Sequence, residues 1–208
     1  MAEAHEEMEH AEHAEHASHT NRRIALLIAV LALFLAFSET LGKGAQTAAL
    51  SDNIEASDLW AFFQAKTIRQ TVLRTAADFK QIELASLDDA AGKSALTKQI
   101  DEWKKTIDRF ESDPASKEGR KELTVRARET EHRRDVNFAK YENYELASAA
   151  FQIGIVLASA SVITGMLLLS YGAGLLGVVG LAFTGLGLFA PHAFEALQHV
   201  LGGALPVG

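Results

Sequence analysis

Three runs of apolar residues, at 24–41, 146–170 and 173–190, constrain this chain more than anything else in it. A helix rises 1.5 Å per residue, so even an 18-residue run reaches about 27 Å, against a bilayer core roughly 30 Å thick. In hydrocarbon every backbone polar group must find its partner inside the same segment, so such runs predict helices. Hydrophobic residues make up 48% of the 208, and they are collected in these runs rather than spread through one globular core. The expectation is an all-α membrane protein with transmembrane helices at 22–42, 146–170 and 173–190, the last two joined by a turn at 170–172.

The first span is the least regular. Its strictly apolar part, 24–37, is short enough to resemble a signal peptide, and Ala36-Phe37-Ser38 offers a small-x-small site. The long acidic segment before it argues for a retained anchor instead. Glu39 falls about a turn from the end of this span, beside Lys43. A carboxylate at membrane depth is a functional candidate, and one at the interface is simply solvated.

Residues 1–21 carry six Glu, five His and no Lys or Arg. Such a composition cannot bury a core and reads as a partly disordered acidic tail. His10, His13, His16 and His19 recur every third residue, so neighbouring imidazoles with interleaved carboxylates form a candidate site for zinc, nickel or copper. The HEEMEH segment is not a zincin motif, because His5 and His10 are five apart and do not share a helical face.

Between the first two spans the chain is charged but balanced: 18 of the 20 Lys and Arg lie between residues 43 and 140, interleaved with Asp and Glu. A mixed-sign surface of this kind reads as solvated helix and not as a nucleic-acid patch. Leu50, Ile54, Ala61, Ala65, Ile68, Val72, Ala76, Phe79 and Ile82 recur at spacings that predict a helix over 45–87 with one apolar stripe. Trp60, Phe62 and Phe63 place aromatics partly off that stripe, so the helix must meet more than one neighbour. Together with Ile68, Val72 and Phe79 they are the candidate residues for packing within the stalk or between subunits. The run at 88–92 breaks this helix. Leu96, Ile100, Trp103 and Ile107 predict a second over 94–111, which Pro114 ends. Leu123, Ala127, Thr130, Phe138 and Tyr141 predict a third over 118–145 that continues into the second span, with Arg134 where an apolar residue is expected. Short connections imply antiparallel neighbours, so 43–145 predicts a long antiparallel, coiled-coil-like stalk.

Several segments look familiar together: the His/Glu/Ala tail, RRIALLIAVLALF, NIEASDLWAFFQAKTIRQ and FQIGIVLASASVITG. They resemble the bacterial membrane family catalogued as domain of unknown function 4337, with EASDLWAFFQAK the most specific part. The resemblance implies a three-span helical protein. It implies no activity and no catalytic residue.

Small residues recur at four-residue spacing in the second and third spans: Gly154 with Ala158, Ser161 with Gly165, Ala173 with Gly177, and Gly180 with Thr184. Such pairs let helix backbones approach closely in lipid, and Gly154, Ala158, Gly165, Gly177 and Gly180 are the candidate packing positions. Ser148, Gln152, Ser159, Ser161 and Thr164 bond between helices in this reading, or line a pore. Beyond the third span, His192, Glu195 and His199 share one face of a short helix over 191–208, a second candidate for a divalent metal, with Phe194, Leu197 and Leu201 on an interfacial face.

Without cysteine the chain has no disulfide, no thiolate nucleophile and no Cys-ligated zinc or iron–sulfur cluster. It carries no P-loop, nucleophile elbow, dinucleotide fingerprint or convergent acid–base pair, so the expectation is not an enzyme. The first functional expectation is a non-enzymatic, homo-oligomeric scaffold in the lipid of a bacterial inner membrane, with its stalk presented to a protein partner. Divalent-metal handling through the two His sites is the second. An ion channel or transport accessory with a ring of Glu39 is the third. Arg22 and Arg23 against Lys43 favour a cytoplasmic tail, whereas Arg126, Arg128, Arg133, Arg134 and Lys140 ahead of the second span favour a cytoplasmic stalk and outnumber them.

Overall fold

The structure, a computed structural model, describes the backbone of residues 2–193 and the side chains of residues 21–193. It holds four helices: α1 (Ala2–Ser86), α2 (Ala90–Glu111), α3 (Arg120–Thr164) and α4 (Leu167–Phe189), with no strand among the described residues. Three of them, α1, α3 and α4, are long and apolar enough to cross a membrane. The chain divides into two compact units, Ala49–Asp135 and the remainder on either side of it.

Three boundaries differ from those the sequence suggested, each for a local reason. The turn between α3 and α4 is at 165–166, not 170–172, and Ser170 and Gly172 lie inside α4. Gly165 adopts φ +71, and its N–H donates to the Ser161 carbonyl. This is a left-handed helix end, which glycine reaches without the Cβ penalty. Helix α2 begins at Ala90 rather than at 94. Asp89 is its N-cap, accepting hydrogen bonds from the N–H groups of Ala91 and Gly92 at 3.2 and 2.7 Å. The run at 88–92 is thus mostly a first helical turn, and the break is confined to 87–89. Helix α3 starts at Arg120, two residues later than 118. Ahead of it Ser112 Oγ donates to Glu122 Oε1 at 2.6 Å and the Asp113 N–H to Glu122 Oε2 at 3.1 Å, which ties the 112–119 connection to the first turn of α3.

The outer unit contains the beginning of α1, the end of α3 and α4. Its helices meet on small residues. Ile24, Ala158 and Ala173 form one buried cluster, and Leu31, Ala147 and Phe151 another. A Cβ at Gly177 would lie 2.8 Å from Leu31, one at Gly180 2.6 Å from the Phe151 ring, and one at Gly187 2.7 Å from the Tyr144 ring. A Cβ at Gly154 would lie 3.3 Å from both the Ala173 carbonyl oxygen and Leu31. These glycines hold large partners of neighbouring helices in the space a methyl group would fill. Gly165 meets nothing within 4 Å of where a Cβ would be, so it is a turn residue and not a packing one. Most hydroxyls here are satisfied along their own helices: Ser159 donates to Ile155 O, Thr164 to Ala160 O, and Thr184 to Gly180 O. The outward surface of this unit is apolar and exposed, including Leu26, Leu33, Val156, Leu175 and Val178.

The unit Ala49–Asp135 contains the rest of α1, all of α2 and the start of α3. Its core is Leu59, Leu123 and Ala127, with Trp60 and Phe63 packed against them and edge to face with each other. Leu96, Ile100 and Ile107 bury the inner face of α2. Along α1 the covered positions are Ala56, Leu59, Phe63, Lys66, Gln70, Leu73 and Ala77, two interleaved series of sevens. Successive covered positions are thus three and four residues apart, so they lie along one face of α1.

Candidate functional site: the Glu39 cleft and an uncovered face of α1

In the outer unit a polar cleft of about 430 Å³ opens between α1 and α3. It is lined by Glu39, Lys43 and Gln46 from α1 and by Tyr141, Glu145, Ser148 and Gln152 from α3, among others. Side chains on a helix lean toward its N-terminus, and α1 and α3 run in opposite directions here, so Glu39 and Gln152 lean toward each other. The Gln152 amide donates to Glu39 Oε1 at 3.4 Å. Below them Ser38 is fully buried, with its hydroxyl donating to the Tyr144 carbonyl at 3.1 Å. The cleft therefore combines two carboxylates, an ammonium and two amides beside an apolar surface. Glu39 and Lys43, adjacent in the sequence reading, line it together. Gln152 is the partner that reading did not assign, because the pairing depends on helix register and not on spacing within one segment.

A second polar cluster interrupts the covered seam in the unit Ala49–Asp135. Gln70, buried, donates through Nε2 to the Ile107 carbonyl at 3.2 Å and to Glu111 Oε2 at 3.1 Å. Arg120 Nη1 donates to Gln70 Oε1 at 2.7 Å and to Glu111 Oε2 at 2.9 Å, with its guanidinium 4.9 Å over the Phe63 ring. Arg120 Nε is buried without a hydrogen-bond partner. Lys66, also buried, sits 3.6 Å from Glu118 and 5.0 Å over the Phe62 ring. The Gln70 amide, with the Arg120 charge behind it, holds the Glu111 carboxyl below its usual range. The Ser112 hydroxyl does the same for Glu122. A polar layer inside an apolar seam fixes register at some cost in stability. Three helices supply this layer, so periodicity along any one of them does not reveal it.

The six aromatic and aliphatic residues singled out for packing divide between two faces. Trp60 and Phe63 lie against the core, and the Trp60 indole donates to Glu131 at 2.9 Å. Ile68, Val72 and Phe79 face away from α2 and α3 and are exposed, as is Phe62 at the margin. The stripe read from the sequence is thus not the seam that this chain covers itself. On α3 the stripe holds at Leu123, Ala127 and Thr130, all buried, after which Phe138 is exposed and Ala139 buried in its place. Arg134, where an apolar residue was expected, is half-buried and donates to Asp135 at 2.9 Å.

His192 lies in the turn after α4, exposed. Glu195 and His199 lie outside the described residues, as do the side chains of His10, His13, His16 and His19. Among the described residues no three His, Asp or Glu side chains come together in a way that could hold a metal ion.

No curated protein and no solved structure matches this chain. The family model described as Domain of unknown function (DUF4337) matches residues 20–190, from the end of the tail through α4. That match spans well over half of the chain, which therefore belongs to the DUF4337 family.

Proposed function

We propose that this protein is a non-enzymatic membrane scaffold that self-associates. Its three apolar helices span a bacterial inner membrane, and its residues 49–135 form a cytoplasmic helical stalk that presents a surface to a protein partner. The observation that carries this reading is the uncovered apolar face of α1, where Ile54, Ile68, Val72, Phe79 and Ile82 are all exposed although the same helix buries another seam. Monomeric soluble proteins rarely leave this many large apolar side chains on one helix face open to water. The outward apolar surface of the outer unit, with its interior of glycine contacts, supports insertion in lipid. The test is a mass measurement on protein extracted in mild detergent at its native concentration. Oligomers of defined stoichiometry are expected, and a monomer ends the proposal.

A further inference from the structure

Five of the seven exposed large apolar residues of α1 in the unit Ala49–Asp135 keep one repeat, and Leu50 and Phe62 lie off it. Ile54, Ile68 and Ile82 fall on the series 54, 61, 68, 75, 82, and Val72 and Phe79 on the series 58, 65, 72, 79. Those series alternate by four and three, the repeat of a two-stranded seam. The covered seam uses the series 56, 63, 70, 77 and 59, 66, 73. At roughly 100° per residue the two seams lie about 150° apart around the helix, so the one is nearly opposite the other. Counting the exposed series back along the sequence by sevens gives 33 and 26 on one and 37 and 30 on the other. In the outer unit these are Leu33, Leu26, Phe37 and Val30, and all four are exposed, by 41–68%. The two exposed runs therefore share one heptad phase in the sequence. The intervening positions of the series are small or polar, and Asp58 is charged.

We infer that the occupant of this second seam is α1 of another copy of this chain, packed parallel and in register. The inference rests on the scaffold reading above and adds to it the face, the direction and the register. Direction follows from the membrane: copies inserted in one bilayer with one orientation carry α1 in the same sense, so their repeats meet only as a parallel pair. Register follows because the run at 26–37 sits at one depth in every copy. Area agrees as well. The five large side chains at 54–82 are 55–70% exposed, which amounts to on the order of 650 Å², near the roughly 800 Å² per partner of a stable protein interface. Asp58, the charge within the series, is the polar step that sets alignment of the pair at a cost in affinity.

The chain has no cysteine, so single introduced thiols report unambiguously. Val72→Cys is placed in the full-length protein in its membrane and oxidised, with Arg74→Cys, two residues away and off the series, as the control. Facing positions in a parallel pair approach within disulfide reach, and a covalent species of twice the chain mass is expected from Val72→Cys alone. Ile68→Asp together with Val72→Asp should weaken self-association at least about 100-fold with helicity unchanged, because neither side chain is buried within the chain. Asp58→Ile should strengthen it by about tenfold or more. An oligomer by mass in which Arg74→Cys cross-links and Val72→Cys does not, or in which Val72→Cys joins a protein of another size, overturns this inference and leaves the scaffold reading standing. A monomer by mass overturns both.

Discussion

Replacing Arg120 by Ala tests whether the buried polar layer holds the unit Ala49–Asp135 together. The substitution removes two hydrogen bonds from Nη1, at 2.7 Å to Gln70 and 2.9 Å to Glu111, and a guanidinium–ring contact at 4.9 Å with Phe63. Bonds to a charged group are worth about 1.5–3 kcal/mol each when buried. These two share one nitrogen, and the Arg120 and Glu111 side chains are 24% and 37% exposed, so the pair is worth about 2 kcal/mol after screening. The ring contact adds about 0.5–1 kcal/mol. Against this, the unpartnered Nε is relieved of burial, and Gln70 Oε1, in a residue only 2% exposed, is left without its donor. The last two roughly offset each other, each about 1 kcal/mol, and the net loss is about 2–3 kcal/mol. Native-state hydrogen exchange of the buried amides near Leu59, Ile100 and Leu123 in the full chain reads this directly, as a roughly 30- to 150-fold acceleration. Because Gln70 and Arg120 bond to each other, Gln70→Leu combined with Arg120→Ala should cost less than the sum of the two by about 1 kcal/mol or more. Acceleration below about threefold, or strict additivity, would show that the layer is ornamental and that the apolar seam alone carries the unit.

Gly180→Ala places a methyl group 2.6 Å from the Phe151 ring, which is fully buried. A loss of about 1–3 kcal/mol is expected in detergent thermal unfolding, whereas Gly174→Ala, with nothing within 4 Å, should be neutral or stabilising. Gly165→Ala forces an L-residue to φ +71 and should cost about 1–2 kcal/mol in the same assay. The carboxyls of Glu111, Glu122 and Asp113 are held below their usual range by Gln70, Ser112 and Ser116 respectively. Depressed folded values contribute stability above the unfolded carboxyl range near pH 4, and that stability is lost as pH falls through the folded values. Protection factors of amides at 112–119 should accordingly drop below about pH 4, and constant protection down to pH 2 would contradict the assignment.

What the sequence disclosed was whatever one segment carries within itself. Apolar length gave the three long helices, and the small residues at 154, 158, 177 and 180 are where helices approach. Heptad spacing identified an apolar stripe but assigned it no partner, because Ile68 and Val72 on one face and Phe63 and Ala77 on the other obey the same period. The covered seam was harder to recognise because it contains Lys66 and Gln70, polar residues that look solvated until α2 and α3 supply Glu111, Glu118 and Arg120. The turn at 165–166 was misplaced because apolar residues run on both sides of it, and only backbone geometry distinguishes Gly165 from the packing glycines. In Asp89 a helix cap had the same composition as a helix break.

Glu39 shows where the scaffold reading and a pore reading part. Within the outer unit the exposed series of α1 passes through positions 33, 37 and 40, and at about 100° per residue Glu39 lies roughly 130° around the helix from it. It faces α3 of its own chain, where Gln152 donates to it across the cleft. A parallel pair of α1 helices along the exposed series therefore keeps the two Glu39 carboxylates away from their shared axis. Glu39→Gln should leave Val72→Cys cross-linking and oligomer mass unchanged. It should affect only the bond with Gln152, exposed and long at 3.4 Å, at a cost below about 1 kcal/mol. If instead Glu39→Gln changed the stoichiometry, or abolished a cation conductance of the wild-type protein in planar bilayers, the carboxylates would have to converge between subunits, and the exposed run at 26–37 could not lie on the axis of assembly.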